Sequence, residues 1–330
     1  MSEGLSIDRI GILRFDPLFR KVRWGGTKLG DFKNAVLPSG SIGESWEISG
    51  LSGHETCVSD GLLKGMSVSQ LLEKYGEFIL GKNLYKKFGN FFPLLIKFID
   101  ADDDLSVQVH PDDECAPDGL GKTELWYIIK AESGSYIYSG FNRPVSRDRL
   151  LESLGQNKLV NLLAKHFSTP GDVFYIPAGR IHSIGAGNLL LEIQQTSSTT
   201  YRLHDYNRHQ EDGSFRELHI ENALEVIDYS PTDFGLARPQ MLINCETRIK
   251  TTPFFTVTAA QVMNELRLEV AELHSPRVIV SIEGTGVITD SFGNTAKIRR
   301  GQTLLIPAAT EYVDIVATST PLKIITIFIE

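Results

Sequence analysis

Three polar side chains stand at alternate positions of one short apolar stretch. In SVQVHP, Ser106, Gln108 and His110 alternate with two valines. Because alternate side chains of a β-strand point to the same face, the polar groups share one face and the valines form the opposite, packing face. Amide oxygens and imidazoles both bind divalent metals, so the stretch predicts one wall of a polar site.

Two further segments supply the other candidate ligands. Lys122 and Glu124 alternate in KTE just before the apolar run LWYII, and His182 ends the segment GDVFYIPAGRIH. Two imidazoles, one carboxylate and one amide oxygen from three strands would form an N/O-type site for a divalent ion. The expected metal ligands are Gln108, His110, Glu124 and His182. Zinc fits this set, with one coordination position open for water or substrate.

Two charged residues follow the last candidate ligand. Glu192 lies in LLLEIQQ and Arg202 in TTYRLHDYNR. An arginine stays cationic at any working pH and can stabilise a developing oxyanion or bind a phosphate. A salt bridge on the rim of a barrel is the structural alternative for both residues.

The segment that ends in His182 has a second copy. Residues 171–182 read GDVFYIPAGRIH and residues 301–312 read GQTLLIPAATEY, with Ile-Pro-Ala at the same offset from the first glycine. The last residue changes from His182 to Tyr312. A repeat of this length indicates two copies of one structural unit.

The repeat extends upstream of this segment. Residues 125–134 (LWYIIKAESG) parallel residues 277–286 (RVIVSIEGTG), and Ser275 falls at the offset of Glu124. The second copy therefore lacks both candidate ligands, and we expect it to be a metal-free scaffold.

Strand patterns dominate the chain. Short runs of β-branched and aromatic residues have glycine, proline, aspartate or asparagine near most of their ends, a rhythm that predicts an all-β sandwich or barrel. Helical periodicity is found mainly at residues 145–167, expected to be two short helices broken at Gly155, and at 215–227. Residues 67–75 give weaker support for another helix.

The fold class predicted from these patterns is mainly β, with two barrels of the double-stranded β-helix or jelly-roll type. We expect a catalytic domain over residues 1–240 with a small helical insertion at about 145–167. A degenerate second barrel is expected over residues 241–330.

The composition limits the partners. The 33 lysines and arginines and 41 aspartates and glutamates give a net charge of −8. This acidic balance offers no general attraction to nucleic acid or anionic lipid, so neither is expected as a partner. The three cysteines form no C-x-x-C pair, no secretory signal pattern opens the chain, and no stretch approaches the ~18 consecutive apolar residues of a membrane span. We expect a cytoplasmic protein.

Four ordered blocks resemble the type I mannose-6-phosphate isomerases, a cupin family, and particularly their shorter bacterial branch. The blocks are PLLIKFIDADDDLSVQVHPDD, GKTELWYII, GDVFYIPAGRIHSIGAG and LLLEIQQTSSTTYRLHDYNR. With the earlier WGGTKLG and IGESWEISG, the resemblance covers nearly the whole chain. It implies two cupin barrels, one zinc ion in the first, and the interconversion of mannose 6-phosphate and fructose 6-phosphate by a monomer or homodimer.

The resemblance also implies residue roles. The family's metal ligands fall on the four residues already singled out, and its catalytic arginine falls on Arg202. Shorter members often have three protein ligands, which leaves the role of Gln108 open. The positions that line the family's pocket are matched by Lys97, Ser106, Lys122 and Glu192. The chain departs from the longer members in ending the arginine block with YRLHDYNR.

The chemistry of such a reaction explains these residue types. Aldose–ketose isomerisation moves a proton between C1 and C2 through a cis-enediol, so it needs a base near both carbons and a group that stabilises the enediolate oxygen. Arg202 suits the second task, whereas the base stays open, with Glu192 and Lys122 as candidates. A non-haem iron oxygenase and a non-catalytic sugar-binding cupin are the alternative functions.

Overall fold

The computed structural model describes residues 10–210, 212–230 and 235–330. Its strands are β1 (Leu13–Asp16), β2 (Leu18–Gly26), β3 (Ile42–Ile48), β4 (Cys57–Val58), β5 (Leu94–Ala101), β6 (Val107–Val109), β7 (Glu124–Ala131), β8 (Tyr136–Phe141), β9 (Leu163–Phe167), β10 (Val173–Ile176), β11 (His182–Ile184), β12 (Asn188–Gln195), β13 (Tyr201–His204), β14 (Leu236–Ala237), β15 (Thr247–Thr251), β16 (Phe255–Val262), β17 (Glu265–Glu269), β18 (Arg277–Asp290), β19 (Thr295–Arg299), β20 (Thr303–Ile306) and β21 (Tyr312–Ile329). The prediction of a mainly β fold is confirmed.

In the described part of the chain, five α-helices accompany the strands. They are α1 (Lys28–Lys33), α2 (Val68–Leu80), α3 (Lys82–Phe88), α4 (Arg147–Gly155) and α5 (Ile220–Val226). The weakly supported helix at residues 67–75 is α2, which starts from a capping box between Ser67 and Gln70 and runs five residues further than expected. The helix expected at residues 215–227 begins only at Ile220. No helix among the described residues is long and apolar enough to cross a membrane.

The interpretation of residues 145–167 as two helices is wrong in its second half. The first helix, α4, ends at Gly155, but a 3₁₀ turn covers Leu159–Leu162 and the strand β9 follows directly. Asn157 has a positive φ of 56°, which turns the chain out of the helix. Leu150, Leu159, Leu162 and Leu163 are nevertheless buried in one hydrophobic cluster, to which the helix, the turn and the strand all contribute.

Two sheets of the N-terminal part pack face to face. One has seven strands in the order β14-β10-β7-β12-β5-β2-β3, and the other has five in the order β13-β6-β11-β8-β9. Their inner faces share one hydrophobic cluster, to which the first sheet gives Trp126 and Phe174 and the second gives Ile137 and Ile184. The space between these two sheets contains the candidate site.

The outer faces of both sheets are covered. On the five-stranded sheet, Val107 and Val109 are buried against α4 and α5. On the seven-stranded sheet, Leu125 and Leu191 share a cluster with Val278 of a third sheet. That sheet has nine strands, in which β18 and β21 pair along most of their length. Each wall of the site is therefore supported from behind by a packed layer.

Candidate metal centre

One row of side chains crosses the five-stranded sheet. Arg202 on β13 pairs with Gln108 on β6, and Gln108 pairs with His182 on β11. Side chains of directly paired residues lie on the same face of a sheet, so all three point into the space between the sheets. The valines next to Gln108 are buried on the opposite face, as the alternation predicted.

The seven-stranded sheet presents a second row. Glu192 on β12 pairs with Trp126 on β7 and with Lys97 on β5. Lys97 Nζ lies 2.8 Å from Glu192 Oε2, and Trp126 Nε1 donates a hydrogen bond of 3.0 Å to Glu192 Oε1. Burial by itself lowers the pKa of Lys97, but the charges of Glu192 and Glu44 raise it above its ordinary value. Lys97 is therefore a permanent cation in the wall of the pocket.

His110, Glu124 and His182 meet between the two rows. Glu124 Oε1 lies 3.4 Å from His110 Nε2, and Glu124 Oε2 lies 3.8 Å from His182 Nε2. Among the described residues, these three form a group whose ligand atoms all lie within 4.8 Å of one another. All three side chains are buried, so the group is a site inside the protein rather than a patch on its surface.

Backbone carbonyls fix the protonation of both imidazoles. His110 Nδ1 lies 2.9 Å from the carbonyl oxygen of Thr199, and His182 Nδ1 lies 2.8 Å from that of Arg180. Since a carbonyl oxygen can only accept, each Nδ1 carries the proton and each Nε2 turns a lone pair toward Glu124. Hydrogen bonds of this kind orient metal-binding histidines in proteins.

Burial keeps both imidazoles neutral. It lowers the pKa of His110 well below its ordinary value, and the nearby charge of Lys122 lowers it further. Burial also lowers the pKa of His182, although the charge of Glu124 partly opposes that effect. Neutral imidazole is the form that binds a metal ion, so the site is ready to bind one at neutral pH.

Glu124 shows that the centre needs a cation. Burial, the largest single effect, would raise the pKa of its carboxyl, but the charge and hydrogen bond of Lys122, together with other nearby positive charges, lower it. Lys122 Nζ lies 2.8 Å from Glu124 Oε1 and 3.4 Å from His110 Nε2. Oε2 of Glu124 accepts no hydrogen bond from the described residues, which is costly for a buried carboxylate. A divalent cation would satisfy this oxygen, and the donor set of two imidazoles and a carboxylate fits one.

Gln108 lies next to the candidate metal centre, but its amide nitrogen, and not its amide oxygen, faces His182. Its Nε2 is 3.4 Å from His182 Nε2, and its Oε1 accepts a hydrogen bond of 3.4 Å from Ser106 Oγ. A metal ligand must present the oxygen, so a flip of the amide is required. The role of Gln108 as fourth ligand stays a prediction.

Arg202 reaches the pocket from the neighbouring strand. Its Nε donates a hydrogen bond of 3.3 Å to Ser106 Oγ, and its Nη1 donates one of 2.8 Å to the carbonyl oxygen of Glu217. Both partners are neutral, and the described residues provide no carboxylate that forms an ion pair with Arg202. Its charge is therefore available to a ligand.

The structure brings the candidate residues together between the two sheets. Trp126, which orients Glu192, was missed by the sequence analysis. It stands two residues after Glu124, so the alternation rule that placed the ligands could have found it.

The assignment of Ser275 to the place of Glu124 is wrong. Glu124 pairs with Ile176, the isoleucine of the first Ile-Pro-Ala, and Arg277 pairs with Ile306, the isoleucine of the second. Arg277 is thus the equivalent residue. The offset was counted along the chain as eight residues before Glu132 and Glu283, and such a count contains no information about the pairing between strands.

Around Arg277, different side chains occupy the positions that form the candidate site in the first copy. Its guanidinium is 2% exposed, contacts the carboxylate of Glu246 and donates a hydrogen bond of 2.9 Å to Thr326 Oγ1. By the strand register, Thr326 stands where Glu192 stands in the first copy, and Thr258 stands where Lys97 stands. A guanidinium and hydroxyl groups therefore occupy the positions of the first copy's charged groups.

Comparisons with known sequences identify relatives of the chain. A family model described as phosphomannose isomerase type I, catalytic domain, matches residues 12–133. The mannose-6-phosphate isomerase ManA of Bacillus subtilis is 42% identical over 221 residues, which cover 66% of this chain and 68% of that protein. The mannose-6-phosphate isomerase of Streptococcus mutans is 35% identical over 306 residues, which cover 88% of this chain and 92% of that protein.

Solved structures share the fold. The crystal structure of a mannose 6-phosphate isomerase from Bacillus subtilis matches with a TM-score of 0.81 and 29% identity, over 96% of this chain and 99% of that one. A putative mannosephosphate isomerase from Archaeoglobus fulgidus matches with a TM-score of 0.78 and 23% identity, over 97% of this chain and 98% of that one.

Proposed function

The chain belongs to the type I phosphomannose isomerase family, and we propose that it interconverts mannose 6-phosphate and fructose 6-phosphate through a cis-enediol. The observation that carries this proposal is the buried group of His110, Glu124 and His182, in which a carboxylate oxygen lacks a hydrogen-bonding partner among the described residues. Lys97 and Arg202 line the same space and suit an anionic substrate.

We infer that His110, Glu124 and His182 hold one divalent ion, that the ion is zinc, and that Gln108 is a fourth ligand. Bound there, such an ion supplies Lewis acidity that polarises substrate oxygens and facilitates proton transfer. Lys122, whose ammonium already lies within contact distance of Glu124 and His110, keeps the carboxylate charged until the ion binds.

Arg202 stabilises the negative charge that develops on the substrate. It stands two strands away from His182 in the same row, which is a distance of roughly 10 Å between main chains at the usual strand spacing. A six-carbon sugar phosphate extends over such a gap. Because Arg202 already donates to Ser106 and to a carbonyl, its guanidinium is oriented before the substrate arrives.

Glu192 and Lys122 are the candidates for the proton-transferring group. Glu192 is held by Lys97 on one oxygen and by Trp126 on the other, so its position in the wall is fixed. Lys97 carries a raised pKa and serves as a binding cation rather than as the base. Two histidines and one carboxylate would also suit the iron of a non-haem oxygenase, but Lys122 and Arg202 fit a sugar phosphate better.

We also propose the division of the chain into residues 1–240 and 241–330, with a barrel in each part. The equivalent pairings of Glu124 with Ile176 and of Arg277 with Ile306 support it. Two strands of the first part nevertheless belong to the sheet of the second part. Strand β1 pairs with β20, and β4 pairs with β1. A cytoplasmic location and a monomeric or homodimeric state stay predictions from the sequence.

The test of the proposed function is a coupled assay with mannose 6-phosphate. We expect activity in the purified protein, its loss after exhaustive chelation, and its recovery when zinc is added back. Undiminished turnover by fully metal-free protein would refute the role of the metal, and no turnover by the zinc-loaded protein would refute the reaction.

A further inference from the structure

The short segment 217–219 forms three hydrogen bonds with Arg202. The amide of His219 donates one of 2.8 Å to the carbonyl oxygen of Arg202, and the amide of Arg202 donates one of 3.3 Å to Nδ1 of the His219 imidazole. Nη1 of Arg202 donates the third, of 2.8 Å, to the carbonyl oxygen of Glu217. One segment therefore holds both the main chain and the side chain of the same residue.

The imidazole of His219 acts where a neighbouring strand would otherwise supply a carbonyl group. In the described structure β13 is an edge strand, with β6 on one side. The outer side of an edge strand has amide and carbonyl groups without a partner in the sheet. At Arg202, the main chain of His219 binds the carbonyl group and its side chain binds the amide. Since Nδ1 accepts, the proton of the imidazole lies on Nε2, which is 4.0 Å from Glu217 Oε2.

His219 is itself attached to the core behind the site. Its carbonyl oxygen accepts a hydrogen bond of 2.9 Å from the amide of Ala223, in the first turn of α5. Ala223 is buried in the same cluster as Val107 and Val109, the packing face of β6. A continuous series of contacts thus connects the rigid wall of the site to the main chain of Arg202.

The imidazole contact affects position more than stability. A neutral hydrogen bond contributes only about 1 kcal/mol to the free energy of unfolding, and the His219 side chain is 29% exposed, so water can reach the amide when the imidazole is absent. The rate is more sensitive, because a displacement of about 1 Å in a catalytic group can slow a reaction about 100-fold.

We propose that His219 is a positioning residue for Arg202. Its Nδ1 holds the main chain of Arg202 in place, so that the guanidinium points into the space between the two sheets. The inference rests on the proposed function, in which Arg202 stabilises the charge that develops on the substrate. His219 acts through Arg202 and does not itself contact the substrate.

The first experiment measures kcat and KM for mannose 6-phosphate. His219→Phe keeps a ring but lacks the acceptor, and we expect kcat to fall about tenfold or more, with little change in KM or metal content. His219→Asn should restore most of kcat, because its side-chain oxygen lies as many bonds from the main chain as Nδ1 does. His219→Ala also lacks the acceptor and serves as a second variant if His219→Phe does not fold.

A double variant shows whether His219 acts through Arg202. In Arg202→Ala, the further change His219→Phe should cause no additional loss of kcat, whereas a general structural role would give an additive loss. His209→Phe is the matched control, since His209 is an exposed histidine whose Nδ1 lies 2.8 Å from the carbonyl oxygen of Gly213. We expect its kcat to equal that of wild type.

The second experiment does not depend on activity. Hydrogen exchange of the Arg202 amide, followed by nuclear magnetic resonance, should be slow in wild type and His219→Asn and faster in His219→Phe. Equal exchange rates in wild type and His219→Phe, or an additive loss of kcat in the double variant, would overturn the role of His219. If wild type does not isomerise the sugar, the proposed function fails, and the exchange rates alone decide whether His219 holds Arg202.

Discussion

Glu124 and Arg277 occupy equivalent positions in the two copies of the repeat. Each pairs with the isoleucine of an Ile-Pro-Ala segment, and each side chain is buried. In the first copy the buried group is a carboxylate that forms an ion pair with Lys122, and in the second copy it is itself a cation. The second copy thus carries within its own chain a positive charge at the position where, in the first copy, we propose that a metal ion binds.

This relationship predicts that Arg277 stabilises the fold without affecting metal binding. Arg277→Met leaves Glu246 without its guanidinium partner, and we expect a loss of about 2 kcal/mol in the free energy of unfolding. The metal content per chain should stay unchanged. Urea denaturation and elemental analysis measure the two quantities.

A double variant provides the control for Arg277. Arg277→Met with Glu246→Gln removes the charge that the single variant leaves unpaired, so part of the lost stability should return. A single variant as stable as wild type, or one that loses its metal while folded, would show that the two positions are not related in this way.

A second prediction compares His182 with Tyr312. The guanidinium of Arg267 lies over the ring of Tyr312, 3.8 Å from the ring centroid. We expect Tyr312→Ala to keep the bound metal and His182→Ala to lose most of it. Elemental analysis after dialysis measures the metal content of both variants. Equal metal loss in both would contradict an ion bound by His182.

The sequence indicated the candidate ligands because part of their arrangement follows from local rules. The alternation of side chains in a strand places Gln108 and His110 on one face, whatever the rest of the fold does. The pairing of β6 with β11 and β13, which brings His182 and Arg202 to Gln108, joins residues that are far apart in the chain. That register depends on the packing of both faces and could be taken only from the family resemblance.

The two wrong predictions, the second helix within residues 145–167 and the equivalence of Ser275 with Glu124, also depended on contacts between distant parts of the chain. A leucine every three or four residues is typical of a helix, but it also suits the 3₁₀ turn and strand that follow α4, and the tertiary core decides between them. The equivalence of Glu124 with Ser275 failed because an offset along the chain contains no information about strand pairing. Arg277 can be recognised as the equivalent of Glu124 only from its pairing with Ile306.

A third prediction concerns catalysis by Arg202. If its guanidinium stabilises developing charge, Arg202→Ala should lower kcat by roughly 10² to 10³ while the metal content stays normal. Steady-state kinetics with mannose 6-phosphate, together with elemental analysis, test this. Wild-type turnover in Arg202→Ala would remove the residue from the mechanism.

A fourth prediction follows from Asp100, a buried carboxyl at the start of α1. Its Oδ2 accepts hydrogen bonds from the backbone amides of Lys28 (2.6 Å) and Leu29 (3.3 Å). Burial raises the pKa of Asp100 above its ordinary value, although Lys28 opposes the shift. A raised pKa means that the folded state binds more protons than the unfolded state between the two pKa values, so this contribution to stability falls as the pH rises.

Asp100→Asn removes that contribution and keeps an acceptor for the two amides. Relative to the variant, wild type should lose stability as the pH rises from about 4 through the raised pKa of Asp100. Urea denaturation of both proteins between pH 4 and 7 measures the difference. A difference that stays constant or changes in the opposite direction would contradict the raised pKa.

The most direct test of the account is an anomalous-difference map from crystals of the zinc-loaded protein, measured at the zinc absorption edge. We expect one strong peak at about 2.0–2.2 Å from His110 Nε2, His182 Nε2 and a carboxylate oxygen of Glu124. We expect no peak beside Arg277. A peak at another place in the chain, or a map without any peak in active crystals, would contradict it.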